Sequence, residues 1–206
     1  MTTRKIVVVQ AGLGQPSSSR LLADRLASAT RDALLERGDE AEDTVVDVRQ
    51  HAHALADALL TGFATGSLRG ALDAVRDADA VIAVTPVFQA SFSGLFKTFV
   101  DVLDEGALRG TPVLLGATAG TARHSLVLEH AMRPMFAYLK AVVVPTAVFA
   151  ASEDWGAGGA VDTGLSRRID VAAAELADLL TGRPARADRV DEFADPVPFE
   201  QLLGEV

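Results

Sequence analysis

The 206-residue chain contains no cysteine. Disulfides, thiolate nucleophiles and cysteine-ligated metals are therefore excluded. Aromatic residues are scarce at 5%, with one Trp and one Tyr, too few to build a platform that stacks successive single-stranded bases. Cationic excess is missing as well: 19 Lys and Arg against 28 Asp and Glu leave a formal charge of −9, the wrong sign for a general nucleic-acid surface. No apolar run approaches the roughly 20 residues that span a bilayer, and Met1-Thr2-Thr3-Arg4-Lys5 leads into a strand instead of a signal-peptide apolar region. The four histidines show no HExxH spacing, so no metal site is expected. The expectation is a cytoplasmic protein with no metal, membrane or nucleic-acid partner.

What is present is a globular composition, 49% hydrophobic and 23% charged, in a chain long enough to bury a sheet between two helical layers. Apolar runs rich in β-branched residues recur at 5–9, 44–48, 80–85, 112–117 and 141–149. Helical periodicities lie between them at 18–37, 67–76, 93–104, 124–139 and 164–181, with a possible short helix at 54–60. Five strands alternating with five helices predict an α/β fold with a doubly wound parallel sheet. The nearly continuous apolar character of the first, third and fourth strands fits a sheet covered on both faces. The expected strand order is the flavodoxin-like 2-1-3-4-5, with domain 1–182 and a C-terminal tail 183–206 rich in Pro, Asp and Arg.

In such a sheet, ligands bind beyond the carboxyl ends of the strands, where the strand order reverses. The loop after the first strand, Gly12-Leu13-Gly14-Gln15-Pro16-Ser17-Ser18-Ser19-Arg20, opens a helix. Helix N-terminal N–H groups, three hydroxyls and a guanidinium suit a phosphomonoester. The competing local reading is that the serines are N-caps. A dinucleotide fingerprint fits less well, because the third glycine position holds Ser17 and the expected acid is late, at Asp47.

The loop after the third strand reads Thr85-Pro86-Val87-Phe88-Gln89-Ala90-Ser91-Phe92-Ser93-Gly94-Leu95-Phe96-Lys97. Pro86 is expected to stop the ladder and free the following backbone groups for a flat polar ring, with Phe88 offering a π face and Gln89 an amide. The loop after the fourth strand carries Thr118, Ala119, Gly120 and Thr121, where glycine permits close backbone approach.

From about Lys5 to about Phe149 the chain resembles the NAD(P)H-dependent FMN reductases, in particular the reductase components of two-component flavin-dependent monooxygenases of the alkanesulfonate type. The specific part is TPVFQASFSGLFKTFVDVL followed by LRGTPVLLGATAGTARHSLVLEHAMRP. The resemblance implies that Ser17, Ser18, Ser19 and Arg20 hold the FMN phosphate. It places Pro86, Val87, Phe88 and Gln89 along the isoalloxazine and Thr118, Ala119, Gly120 and Thr121 at its far edge. The implied cofactors are FMN and NAD(P)H, the implied partners free flavin, nicotinamide nucleotide and a flavin-dependent monooxygenase component. Many members carry Tyr where Phe88 stands, so ring stacking remains without a phenol. His130 falls in a helix that the resemblance makes distorted, at a tetramer interface, and linked to flavin exchange.

Hydride transfer between stacked rings needs no protein acid or base, so no catalytic side chain is expected. Two other functions remain open at this point. A quinone or azo-dye reductase would share the flavin site, and a flavodoxin-type carrier would need aromatic walls on both ring faces. Lys97, Asp101 and Asp104 are expected to be solvated. His124 and His130, six apart, do not share a helix face, and His124 suits a ligand contact, a cap or an interface equally. Trp155 either covers the site or plugs a subunit contact. Leu95, Phe96, Phe99, Val100, Leu103, Leu126, Leu128, Met132, Met135 and Phe136 are expected to exceed what one sheet face can cover, and so to favour a homotetramer or homodimer.

Overall fold

The structure, a computed structural model, describes residues 1–155 and 164–185. The first strand, β1 (Thr3–Gln10), sits between β2 (Glu40–Asp47) and β3 (Ala80–Phe88), all parallel. Beyond β3 comes β5 (Pro112–Ala119), and beyond that two short strands, β6 (Val142–Val143) and β7 (Val148–Ala151), both parallel to β5. A two-residue strand, β4 (Ser91–Phe92), pairs antiparallel with the end of β3. The parallel core therefore has the flavodoxin-like order β2-β1-β3-β5-β6. The expected fifth strand at 141–149 is split, with Pro145 in the gap, where a residue without an N–H cannot continue the ladder.

Alternation along the strands sends side chains to two separate cores. Ile6, Val8, Ile82 and Leu114 pack under α1 (Ser18–Glu36) and α6 (Leu165–Leu180), which contribute Leu22, Leu26, Leu34, Ile169 and Leu176. Val7, Val9, Val81 and Leu115 pack on the other face. They lie under α2 (Ala52–Thr61), α3 (Gly66–Asp77), α4 (Gly94–Asp101) and α5 (Arg133–Tyr138). Helix α1 lies close on the sheet at Gly116, where a Cβ would stand 3.0 Å from Val84 Cγ2 and 3.2 Å from Leu26 Cδ1. Edge strand β2 is half exposed and charged, which blunts edge-to-edge pairing.

The structure corrects three expectations. Helix 124–139 is not the continuous helix its periodicity predicts, and is distorted at His130 as the resemblance implies: a 3₁₀ turn at Ala122–His124 leads to a π-helical turn at Leu128–Met132 and only then to α5. Pro134 lies in the first turn of α5 and has no N–H for the upstream carbonyls, so the ladder widens before it. Strand β3 does not stop at Pro86. It pairs there with Thr118 and then enters a hairpin in which Val87 faces Phe92 and Phe88 faces Ser91.

The third correction concerns the apolar surplus. Of the ten side chains expected to exceed one face, Phe96, Phe99, Val100, Leu128, Met132 and Phe136 are buried within the single chain, and of the rest only Leu126 is exposed, at 61%. Helices α4 and α5 and the π turn bury one another, with Phe96 and Phe136 ring centroids 6.3 Å apart. The expected tail begins just after α6, and its residues 186–206 lie outside the described residues. No helix among the described residues is long and apolar enough to cross a membrane.

Candidate functional site

The three loops meet at the carboxyl edge of β1, β3 and β5. Ala11 continues the contact of β1 with β3 by donating its N–H to the Val84 carbonyl at 3.1 Å. Strand register sets Pro86 beside Thr118. This is where the order reverses between β1 and β3, the crevice expected of this topology.

The first loop is organised by buried groups. Gln10, 2% exposed at the end of β1, accepts the Gly12 N–H on its Oε1 at 2.9 Å. Ser17 caps α1, its Oγ accepting the Arg20 N–H at 3.2 Å. Cap and phosphate readings are compatible, since the hydroxyl proton of Ser17 is not used by that bond. Ser18 is exposed at the rim. Ser19 is buried, and its Oγ shares a 2.7 Å hydrogen bond with Thr118 Oγ1. Arg20 is exposed and paired with Asp24 one turn on, at 2.7 Å.

The second loop is a tight hairpin whose two turn residues, Gln89 and Ala90, both have positive φ, 47° and 68°. Non-glycine residues rarely hold that conformation, so the hairpin is fixed from below. Thr85, fully buried, accepts the Ser93 N–H on Oγ1 at 3.0 Å and donates to the Pro86 carbonyl at 2.9 Å. Ser93 in turn caps α4 through the Phe96 N–H at 3.1 Å. Phe88 stands out at the tip, 45% exposed, while Phe92 packs on Phe96 with centroids 6.2 Å apart. Pro86 and Val87 are half-buried, and Gln89 is exposed.

In the third loop Thr118 is buried, Ala119 half-buried, and Gly120 and Thr121 exposed. A Cβ on Gly120 would meet nothing within 4 Å. Thr121 Oγ1 accepts from Arg123 Nε at 3.0 Å. All twelve expected site residues therefore come from the three loops that share this edge. Gln10, Gly12, Thr85 and Ser93 support them and were not among the candidates. The sequence signal was a polar residue closing an apolar strand, at Gln10 and again at Thr85.

The remaining candidates separate. Lys97 is partly exposed and paired with Asp101, and Asp104 is held by Arg69 at 2.8 Å, which keeps its carboxyl below the usual range. His130 is exposed on the π turn, and His124 is half-buried in the 3₁₀ turn. Arg133 fastens that region: it donates to Glu129 at 2.6 Å and to the Val144 and Pro145 carbonyls at 3.0 and 2.9 Å. Its guanidinium lowers the Glu129 pKa by hydrogen bonding and charge. Trp155 is half-buried against the core under α1 and α6, and the loop that follows it, 156–163, lies outside the described residues. No cluster of metal-ligating side chains occurs among the described residues.

The chain is similar to known proteins over most of its length. The sequence pattern of the family described as NADPH-dependent FMN reductase matches residues 4–156. A Pseudomonas aeruginosa protein named FMN reductase (NADPH) is 35% identical over 179 residues, 87% of this chain and 94% of that protein. The NADH-dependent FMN reductase SfnF of Pseudomonas fluorescens is 33% identical over 175 residues, 85% of this chain and 91% of its own. Among solved structures, an oxidoreductase from Corynebacterium diphtheriae is 42% identical with a TM-score of 0.84, covering 89% of this chain and all of that one.

Proposed function

The chain belongs to the family of NADPH-dependent FMN reductases and is an oxidoreductase that reduces FMN with NAD(P)H; on that premise we propose that its three loops grip FMN end to end and that the reduced flavin passes to a partner monooxygenase component. The observation that carries this reading is the asymmetry of the crevice. One end offers the N-terminus of α1, capped by Ser17 at the Arg20 N–H, and the other offers one exposed aromatic, Phe88, and open space beside Gly120.

The residues present fit FMN. Helix α1 has 19 residues and no acidic side chain in its first turn, so its N-terminal N–H groups favour a dianionic phosphate. Ser17 and Ser18 add hydroxyl donors at the rim. Arg20 reaches the same anion by leaving its exposed partner Asp24, a pair that costs little to break. The void beside Gly120 admits a flat ring edge where any side chain would intrude.

When bound, FMN supplies the redox chemistry by accepting hydride from the nicotinamide. The chain positions, stabilises and excludes. Phe88, held by the Thr85 and Ser93 bonds, gives one ring face something to lie against. Backbone N–H groups of Gly120 and Thr121, just past the paired end of β5, face negative charge on the pyrimidine side of the ring. Phe88 is the one exposed aromatic of the three loops, Phe92 being packed on Phe96, which leaves the other ring face to the nicotinamide and to exchange of the flavin. That openness favours a reductase over a carrier that retains its flavin. The reading extends to a homodimer or homotetramer, with exposed Leu126 and Tyr138, beside the π turn, as apolar contact surface.

Steady-state oxidation of NADH and NADPH with FMN, FAD, riboflavin or a quinone as acceptor tests the proposal. FMN is expected to give the highest kcat/KM. A quinone preferred over FMN, with flavin retained through gel filtration, overturns it in favour of a quinone reductase.

A further inference from the structure

We propose that Ser19 and Thr118 act as a positioning pair: their buried hydrogen bond sets the phosphate loop in register with the ring loop, and neither hydroxyl touches the flavin. The inference rests on the FMN reading above, which puts the phosphate at α1 and the ring edge at residues 118–121.

Three observations carry it. The bond is short, 2.7 Å, and joins residues 99 apart in sequence. Both residues are nearly closed to solvent, Ser19 at 2% and Thr118 at 5%, whereas Ser18 on the same turn is exposed. The surrounding contact between α1 and β5 is apolar and close, with Leu22 and Leu26 against Gly116.

Neither local structure nor packing asks for these hydroxyls. Alanine is the better helix former at position 19, and valine suits a strand at position 118. A neutral hydrogen bond contributes modestly to stability, but it is directional, and each hydroxyl buried here would be stranded without the other. Direction is what a two-ended ligand requires. FMN engages α1 with its phosphate and β5 with its ring, so an error in the spacing of the two loops is felt by the whole molecule. Riboflavin or inorganic phosphate engages one loop only and escapes it. Fixing that spacing before the ligand arrives lowers the ordering cost of binding.

The test is a double-mutant cycle on FMN affinity, read by quenching of flavin fluorescence, with Ser19→Ala, Thr118→Val and the two combined. Each single substitution is expected to weaken FMN by roughly tenfold. The combined variant is expected to match the weaker single within about twofold. Thr118→Ser, which keeps the hydroxyl, stays near wild type. Riboflavin and inorganic phosphate, titrated separately, change little in Ser19→Ala.

Several results overturn the proposal. Multiplied effects, roughly a hundredfold in the combined variant, make the two residues independent ligands. Unchanged FMN affinity in Ser19→Ala removes Ser19 from flavin binding altogether, and a parallel loss of inorganic phosphate binding makes it a direct phosphate ligand. Wild-type protein that binds FMN and riboflavin equally defeats the underlying FMN reading as well, which separates the two failures. Ser19→Cys and Thr118→Ala replace any single variant that loses its helical circular dichroism.

Discussion

Gly12 lies so close to Ser17 that a Cβ on Gly12 would stand 1.9 Å from the Ser17 Oγ. The glycine is therefore a requirement of the loop's packing. Gly12→Ala must push Ser17 out of its capping position, at a cost of about 1 kcal/mol for a lost N-cap. A lower Tm, by roughly 2–4 °C for a domain of this size, together with at least about tenfold weaker FMN binding, is expected from thermal melts and flavin titration. An alanine variant with unchanged Tm and affinity would show that the loop relaxes freely.

Gly120 presents the opposite case. Nothing lies within 4 Å of the position its Cβ would take, so Gly120→Val is expected to fold with the wild-type Tm and to lose most FMN-dependent activity. Loss of activity with retained stability identifies the space beside Gly120 as ligand space. A variant that folds and reduces FMN at the wild-type rate removes the third loop from the ring site.

Much of this arrangement was legible in the sequence. The five apolar runs follow from strand periodicity, and the loops that rim the crevice follow once the expected flavodoxin-like order is applied to them. What escaped was set by tertiary contact. Pro86 reads as a strand terminator because proline lacks a donor. Its neighbours nonetheless form a hairpin, because buried Thr85 supplies the bonds that hold it. The apolar surplus on α4 and residues 125–139 reads as an interface because periodicity counts apolar faces without knowing that two helices share one. The roles of Ser19 and Thr118 depend on a partner 99 residues away, which no local pattern reveals.

Stability is expected to fall on the acid side. Asp39, Asp104 and Glu129 have carboxyl pKa values lowered chiefly by hydrogen bonds from Arg4, Arg69 and Arg133. A folded-state pKa below the unfolded one stabilises the protein above the ordinary carboxylate range, and that stabilisation is lost as pH falls through the folded values. Asp104 and Glu129 are about half exposed, so solvent screens most of the effect. Melts are expected to give a flat Tm from about pH 6 to 8 and a decline below about pH 4. Arg69→Met should make that decline slightly shallower. A Tm that rises on acidification below about pH 4 would contradict the assignment.

The central claim, that FMN is held by its phosphate at the N-terminus of α1, is tested most directly by the ratio of riboflavin to FMN dissociation constants in wild type and in Arg20→Ala. A charge-assisted bond to phosphate is worth roughly 1.5–3 kcal/mol. The account predicts FMN bound at least about tenfold more tightly than riboflavin, with Arg20→Ala weakening FMN by a similar factor and leaving riboflavin unchanged. Equal affinities for the two flavins in the wild-type protein would contradict it.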